Sequence, residues 1–165
     1  MSAGRPWSGT PGRRRSRVSW AGPVAHVVLS LSPAHLPMLR SFASGALFGV
    51  AHGDGAPWSL ALHGWQRTHA DFDRVLGDGA AGGAVASLAV DLPGFGASPP
   101  PPSPWGSDDY AQATLGILRS MVDELGGPIV VLGHSFGGRV GVRLAVAAPE
   151  LVSALVLSGV PLLAR

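Results

Sequence analysis

The chain has 165 residues, of which 46% are apolar and 13% charged, so it suits one domain with a buried core better than a disordered chain. It contains no cysteine, which excludes a disulfide framework and a thiolate metal site. Five of the 12 arginines lie in the first 17 residues, and the remainder carries seven arginines against ten acidic residues, a net charge of −3. That remainder offers no basic face for nucleic acid, and no apolar run approaches the ~20 residues of a membrane span.

The first 37 residues differ in composition from the rest. They are rich in Pro, Gly, Ser and Arg, and their one short apolar piece, at 24–31, lies between Pro23 and Pro33. A basic start before an apolar stretch also occurs in secretory signals, but this stretch is short and no small-x-small cleavage site follows it. We therefore expect a flexible leader over 1–37, or a start codon assigned too far upstream, ahead of a cytoplasmic domain over 38–165.

Apolar runs of strand length recur along that domain. Helical patterns lie between several of them, and this alternation is typical of an α/β fold, a mostly parallel sheet with helices on both faces. The runs predict strands at 40–44, 46–50, 58–62, 84–90, 129–132 and 151–158, the last as a buried strand.

Capping and breaking residues predict where the helices begin and end. Thr68 and Asp71 have the spacing of a capping box for a short helix that Gly77 ends. Ser107 begins a longer helix, which the Gly-Gly-Pro at 126–128 ends. The first helix is expected to bury Phe72, Val75 and Leu76, the second Leu115, Leu118, Val122 and Leu125, and a third helix covers 139–148.

The segment 133–138, Gly-His-Ser-Phe-Gly-Gly, joins the apolar run 129–132 to the last of these helices. A serine at a sharp turn from a buried strand into a helix is typical of the nucleophile elbow of acyl-transfer hydrolases. Because Gly133 and Gly137 lack a Cβ, strand and helix can approach each other, and the turn strains the backbone of Ser135. The alternative is a glycine-rich turn whose serine only caps the helix.

Two further motifs follow predicted strands. His63-Gly64-Trp65 comes after the strand at 58–62, and Asp-Leu-Pro-Gly-Phe-Gly-Ala-Ser, at 91–98, comes after the strand at 84–90. The carboxyl ends of parallel strands meet at one edge of a sheet, where open α/β sheets bind ligands. Both motifs and Ser135 are therefore expected to converge on one site.

These motifs resemble those of the α/β-hydrolase superfamily, over about 39–163. Three motifs match those of the superfamily: its His-Gly turn at 63–65, its Asp-x-Pro-Gly-x-Gly-x-Ser loop at 91–98 and its Gly-x-Ser-x-Gly elbow at 133–137. Within the superfamily, the chain is similar to the esterase, haloperoxidase-like and C–C hydrolase branch. Relatives that open epoxides or remove halide carry aspartate at the elbow, where this chain has Ser135. The resemblance therefore implies a small-molecule substrate with an ester, thioester or amide carbonyl.

The resemblance also implies a role for each site residue. Ser135 Oγ is the nucleophile that forms an acyl-enzyme, and the backbone N–H groups of Trp65 and Phe136 form the oxyanion hole. Trp65 either walls the acyl pocket or packs in the core. His63, next to Gly64, is expected to position the oxyanion loop.

Two other residues are expected to support the site. Asp91 is expected to fix its own loop through backbone N–H groups, and His134 to pack beside the elbow rather than act as the general base. In this fold an acid and then a histidine follow the serine along the chain. After Ser135 the only acid is Glu150, and no histidine follows His134. The resemblance thus implies the amino-terminal portion of a hydrolase, without the last strands and the cap.

Three hypotheses follow from the missing acid and histidine. In the first, the protein is a serine hydrolase whose sequence is incomplete at its carboxyl end. In the second, the chain is an inert hydrolase-like module. In the third, a second polypeptide supplies the acid and the histidine. In an incomplete sheet the strand at 151–158 has an unpaired apolar edge, which predicts poor solubility or self-association.

Cofactor motifs are not found in the sequence. The segment 133–138 lacks the spacing of a dinucleotide fingerprint, and a chain without lysine contains no P-loop. The six histidines do not pair with acids at ligand spacing. We therefore expect neither a cofactor nor a metal.

Overall fold

The computed structural model describes residues 38–77, 85–120 and 125–161, so the expected leader over 1–37 lies outside the described residues. The described strands are β1 (Leu39–Phe42), β2 (Leu47–His52), β3 (Ser59–Leu62), β4 (Ser87–Asp91), β5 (Ile129–His134) and β6 (Val152–Ser158). The helices are α1 (Asp73–Leu76), α2 (Ser107–Ser120) and α3 (Phe136–Ala147), with 3₁₀ turns at Ala43–Gly45 and His69–Phe72.

The strands form one sheet in the order β1-β2-β4-β3-β5-β6. The first two are antiparallel to their neighbours, and β4, β3, β5 and β6 run parallel, which confirms the mostly parallel sheet. In the register, Leu62 at the end of β3 lies opposite Val90 in β4 and Gly133 in β5. The segments that follow these three strands therefore leave the sheet side by side at one edge.

Helices cover both faces of the sheet, as the sequence predicts. Leu60 and Leu62 of β3 belong to the large core cluster that α2 and α3 complete. Ala61, between them, belongs to a smaller cluster with Phe72 and Leu76 on the opposite face. The period of two along β3 thus separates the two layers of the core.

The short helix differs from its prediction. Thr68 occupies the N-cap position of the 3₁₀ turn but makes no side-chain cap bond. The Asp71 N–H donates to the Thr68 carbonyl at 3.2 Å, and the Asp71 carboxylate pairs with Arg67, at 2.6 Å between Oδ1 and Nη2. Bidentate pairing to a guanidinium is a stronger interaction for the carboxylate than a backbone N–H. Val75, expected in the core, is 60% exposed. The capping box and the burial of Val75 are therefore wrong predictions, whereas Gly77 does end α1.

The strand β6 is present, but it is not buried as predicted. It pairs only with β5 among the described strands, and most of its residues are exposed. Val156 and Leu157 are 54% and 45% exposed, although Leu155 packs against the core. An edge strand covered only in part by α3 explains both observations.

The described part of the longer helix agrees with its predicted stripe. Leu115 and Leu118 are buried on α2. Leu125, beyond the end of α2, is buried as well, while Val122 lies outside the described residues. None of the helices in the described ranges combines the length and the apolar character needed to cross a membrane.

Candidate active site

Ser135 lies in the turn between β5 and α3. Its backbone angles, φ 50° and ψ −110°, are ones that a residue with a side chain rarely adopts, and such strain costs about 1–3 kcal/mol. The residue holds the N-cap position of α3, yet its side chain makes no capping hydrogen bond. The structure therefore does not fit the alternative in which Ser135 only caps the helix.

Gly133 and Gly137 lie where the chain passes closest to itself. A Cβ built on Gly137 would overlap the carbonyl of Leu62 and would lie 2.6 Å from the carbonyl oxygen of His63. A Cβ on Gly133 would lie 2.8 Å from the backbone nitrogen of Gly138. Because these separations are well inside van der Waals contact, only glycine lets α3 begin against the ends of β3 and β5.

The loop after β3 lies directly against the elbow. A Cβ on Gly64 would lie 3.5 Å from Ser135 Cβ, and the rings of Trp65 and Phe136 meet edge to face with centroids 5.1 Å apart. Within the described part of the chain, neither the Trp65 N–H nor the Phe136 N–H donates a hydrogen bond. The serine and two unused main-chain donors thus come from segments that touch.

An aromatic wall stands beside this loop. Phe95 packs edge to face against Trp65 at 5.0 Å, and Tyr110 of α2 packs in the same way against Phe136 at 5.1 Å. Tyr110 is buried, and burial raises the pKa of its phenol, which keeps the ring neutral. Trp65 is 55% exposed, which does not fit the alternative that it packs in the core.

His63 is fully buried and is hydrogen-bonded at both ring nitrogens. Nδ1 lies 2.7 Å from the carbonyl oxygen of Gly64, and Nε2 lies 2.9 Å from the backbone nitrogen of Leu92. A carbonyl only accepts and an N–H only donates, so these partners require a neutral ring with its proton on Nδ1. Burial lowers the pKa of His63, which favours that form. Since both nitrogens are occupied, His63 joins two loops and is not placed to take a proton from Ser135.

Asp91 is fully buried at the end of β4. Its Oδ2 accepts a hydrogen bond from the backbone N–H of Ala97, in its own loop, at 2.9 Å. Its Oδ1 lies 2.7 Å from the backbone nitrogen of His69 and 2.9 Å from the Nδ1 of the same residue. Sequence reasoning missed His69, because no local spacing marks a pair that only the register of β3 and β4 brings together.

The other two titratable residues near this part of the sequence lie in different places. His134 is exposed beside the elbow, with its Cδ2 3.2 Å from a Cβ built on Gly64. Glu150 follows the far end of α3, whose 12 residues rise about 18 Å, so its carboxylate is remote from Ser135. No described side chain accepts a hydrogen bond from Ser135 Oγ.

Comparison with known proteins shows the family to which this chain is similar. Residues 60–164 match the alpha/beta hydrolase family. The chain is 36% identical over 125 residues to the esterase Rv0045c of Mycobacterium tuberculosis, a match that covers 74% of this chain and 39% of that protein. It is 49% identical over 74 residues to the lipase LipV of the same organism, over 44% of this chain and 26% of LipV.

Solved structures agree with these matches. An N-acyl homoserine lactonase, AidH, superposes with a TM-score of 0.61 at 27% identity, over 75% of this chain and 45% of AidH. The crystal structure of Rv0045c superposes with a TM-score of 0.60 at 32% identity, over 74% of this chain and 41% of that one. The chain thus spans less than half the length of these relatives. With its parallel sheet and its strained strand-to-helix turn, this chain belongs to the alpha/beta hydrolase family.

Proposed function

We propose that the protein is a serine hydrolase that cleaves an ester or similar acyl substrate through an acyl-enzyme. The observation that carries the proposal is the conformation of Ser135, whose strained backbone presents an uncapped hydroxyl beside two unused main-chain N–H groups. Strain of this kind persists in native proteins mainly where function requires it. The esterase and lipase among the relatives support the same reaction class.

In the proposed reaction, Ser135 Oγ attacks the acyl carbon and its proton passes to a base. The carbonyl oxygen becomes an oxyanion, which accepts hydrogen bonds from the N–H groups of Trp65 and Phe136, each donor being worth ~10²–10³ in rate. Collapse of the tetrahedral intermediate breaks the bond to the leaving oxygen, which takes the proton back from the base and departs as the alcohol, and the acyl group stays on Ser135. Water then attacks the acyl-enzyme, which releases a carboxylic acid and restores the hydroxyl.

The surroundings of Ser135 favour an apolar acyl group. Trp65, Phe95 and Phe136 form a continuous aromatic surface, and Trp65 is exposed enough to contact a ligand. The nearest cation on the same loop, Arg67, is already paired with Asp71. The base and its carboxylate are proposed to lie outside the described residues or on a second polypeptide, since none of the described side chains fills that role.

A second candidate function is an inert hydrolase-like module that binds a partner. Two observations favour it: Ser135 Oγ has no described acceptor for its proton, and the apolar strand β6 has an exposed edge. Without a base the serine remains a weak nucleophile. On this hypothesis the elbow is a structural feature retained for the packing of α3 against β3.

Covalent labelling separates the two candidates. The purified chain is incubated with a fluorophosphonate probe, and the adduct is located by peptide mass spectrometry. A hydrolase is expected to carry the adduct at Ser135, to lose it in Ser135→Ala and to keep it in Ser153→Ala, an exposed serine on β6. A folded wild-type chain without adduct supports the inert module. The same assay on a protein extended beyond Arg165 tests whether additional sequence supplies the base.

We also propose a cytoplasmic location. It rests on the sequence of the apolar piece at 24–31, which is short and lies between two prolines. Fusion to a reporter that is active only after export tests it, and reporter activity comparable to that of a secreted control contradicts it.

A further inference from the structure

The loop that carries Trp65 is held at both of its ends by residues at the carboxyl end of β4. At its start, the Nε2 of His63 accepts a hydrogen bond from the backbone N–H of Leu92 at 2.9 Å. At its end, the backbone N–H and the Nδ1 of His69 both bond to Asp91 Oδ1 at 2.7 and 2.9 Å. Residues 63–69 are thus fixed at both ends by Leu92 and Asp91, two consecutive residues at the end of the neighbouring strand.

The anchor at His69 is a hydrogen-bonded contact to a fully buried carboxylate. Asp91 has no exposed surface, and its second oxygen is occupied by the backbone N–H of Ala97. A Cβ on Gly96 would overlap this carboxylate, so the loop closes tightly around it. A buried carboxylate is costly unless its oxygens are hydrogen-bonded, so the His69 ring helps to stabilise Asp91.

Between the anchors the loop makes a strained turn. Gln66, next to Trp65, has a φ of 56°, a left-handed conformation that non-glycine residues adopt at a cost. The turn is closed by a hydrogen bond of 3.2 Å from the N–H of Arg67 to the carbonyl of Gly64. Strain of this kind persists only while the surrounding structure over-determines the backbone, and here the two anchors do so.

We propose that His69 is a positioning residue for the oxyanion hole. Through Asp91 it fixes the far end of the strained turn, and the turn fixes the direction of the Trp65 N–H. This inference rests on the proposed function, because it assigns the positioned N–H to oxyanion binding. His69 itself touches neither the substrate nor Ser135 in this role.

Two variants of His69 isolate the ring contact. His69→Ala removes the bond from Nδ1 and keeps the backbone N–H bond to Asp91. His69→Asn places an amide nitrogen at the position of Nδ1, where it can donate to the same carboxylate oxygen. Val75→Ala, on the exposed face of the adjoining α1, is the matched control.

The first measurement is kinetic. For fluorophosphonate labelling of Ser135, we expect His69→Ala to lower the maximal rate constant about tenfold, less than the loss of a whole oxyanion donor, with little change in the probe's half-saturation concentration. His69→Asn should restore most of the rate, and Val75→Ala should match the wild type. A merely structural role predicts no rescue by Asn and a rate that follows the folded fraction.

The second measurement needs no activity, so it separates the failure of this inference from the failure of the proposed function. The ¹⁵N order parameter of the Trp65 amide should fall from about 0.85, typical of rigid backbone, toward the values below about 0.6 of flexible loops in His69→Ala but not in His69→Asn. If the wild type does not label, the proposed function fails for this chain and the order parameters alone decide. Unchanged Trp65 dynamics in a folded His69→Ala overturn the inference.

Discussion

The carbonyl group of Leu62 occupies the space in which a side chain on Gly137 would begin. The contact joins the last residue of β3 to the first turn of α3, so it holds the loop after β3 against the turn at Ser135. It explains why a glycine is required two residues after Ser135, whatever the substrate.

Gly137→Ala is therefore expected to destabilise the fold by at least about 2 kcal/mol, because the backbone of β3 cannot move aside as a flexible side chain would. Urea unfolding followed by far-UV circular dichroism measures the change. The matched control is Gly116→Ala on α2, where nothing lies within 4 Å of a new Cβ. That substitution should stabilise the helix by about 0.5–1 kcal/mol. Similar effects at both positions contradict the close approach at Gly137.

Ser135 offers a test of stored strain. Glycine adopts a positive φ without penalty, so Ser135→Gly should be more stable than Ser135→Ala by about 1 kcal/mol, the relief of strain exceeding the entropic cost of glycine. At Ser41, an exposed residue of β1 that pairs in regular register with Phe48, the order should reverse, with Gly less stable than Ala by about 0.5–1 kcal/mol. The urea midpoints of the Gly and Ala variants at both positions measure the two orders of stability. The same order at both positions would show that the elbow stores no strain.

Much of this site could be predicted from the sequence, because its parts are local. A strand, a glycine and a helix in succession specify the turn at Ser135, and apolar runs that alternate with helical patterns predict a mostly parallel sheet. The contacts between loops could not be predicted in the same way. His69 reaches Asp91 only because β3 and β4 are in register, and the side chain of Ser98 bridges the Asp91 carbonyl and the Phe48 N–H across three segments.

The errors at the short helix have a physical cause of the same kind. Thr68 and Asp71 have capping-box spacing, but the sequence does not show that the Arg67 guanidinium binds both oxygens of the carboxylate. Val75 fits a helical stripe over a long helix, whereas α1 contains only four residues. Its single turn buries Leu76 and leaves Val75 in solvent.

The buried ring of His63 should make stability depend on pH. Burial lowers its pKa in the folded chain below the ordinary value of 6.5, so between these two values the unfolded chain binds a proton that the folded chain does not. The stabilisation is complete above about pH 6.5 and is lost as the pH falls through that value toward the lowered pKa. Burial is the largest cause of the lowered pKa of His63. The charges of Asp91 and Asp71 act to raise this pKa, and that of His69 acts to lower it.

His63→Gln tests this dependence, since the Gln amide can still accept a hydrogen bond from the Leu92 N–H but does not titrate. We expect the free energy of unfolding to fall less between about pH 7.5 and pH 5 in the variant than in the wild type, as measured by urea titrations at each pH. Val75→Ala, at an exposed position without a titratable group, should leave the slope of the wild type unchanged. Equal slopes in the wild type and His63→Gln would falsify the assignment to His63.

The exposed strand β6 is expected to cause self-association of this chain. Its outer edge is unpaired in the described sheet, and Val156 and Leu157 present apolar side chains to solvent. A second copy can add a strand to such an edge, which buries the unpaired backbone groups and the adjacent side chains together. Sedimentation velocity over a range of protein concentrations should therefore show a species larger than the monomer.

A charge on the edge strand should suppress this association, since pairing would bury the ammonium group. We expect Val156→Lys to shift the distribution toward monomer, while Val75→Lys, at a side chain of similar exposure on α1, should leave it as in the wild type. The control matters because any added positive charge changes long-range repulsion between molecules, whereas only the charge on β6 blocks strand pairing. A wild-type chain that stays monomeric at about 100 μM, well within the range where exposed strand edges associate, contradicts the prediction. Equal suppression by both lysines would assign the association to general electrostatics rather than to the edge of β6.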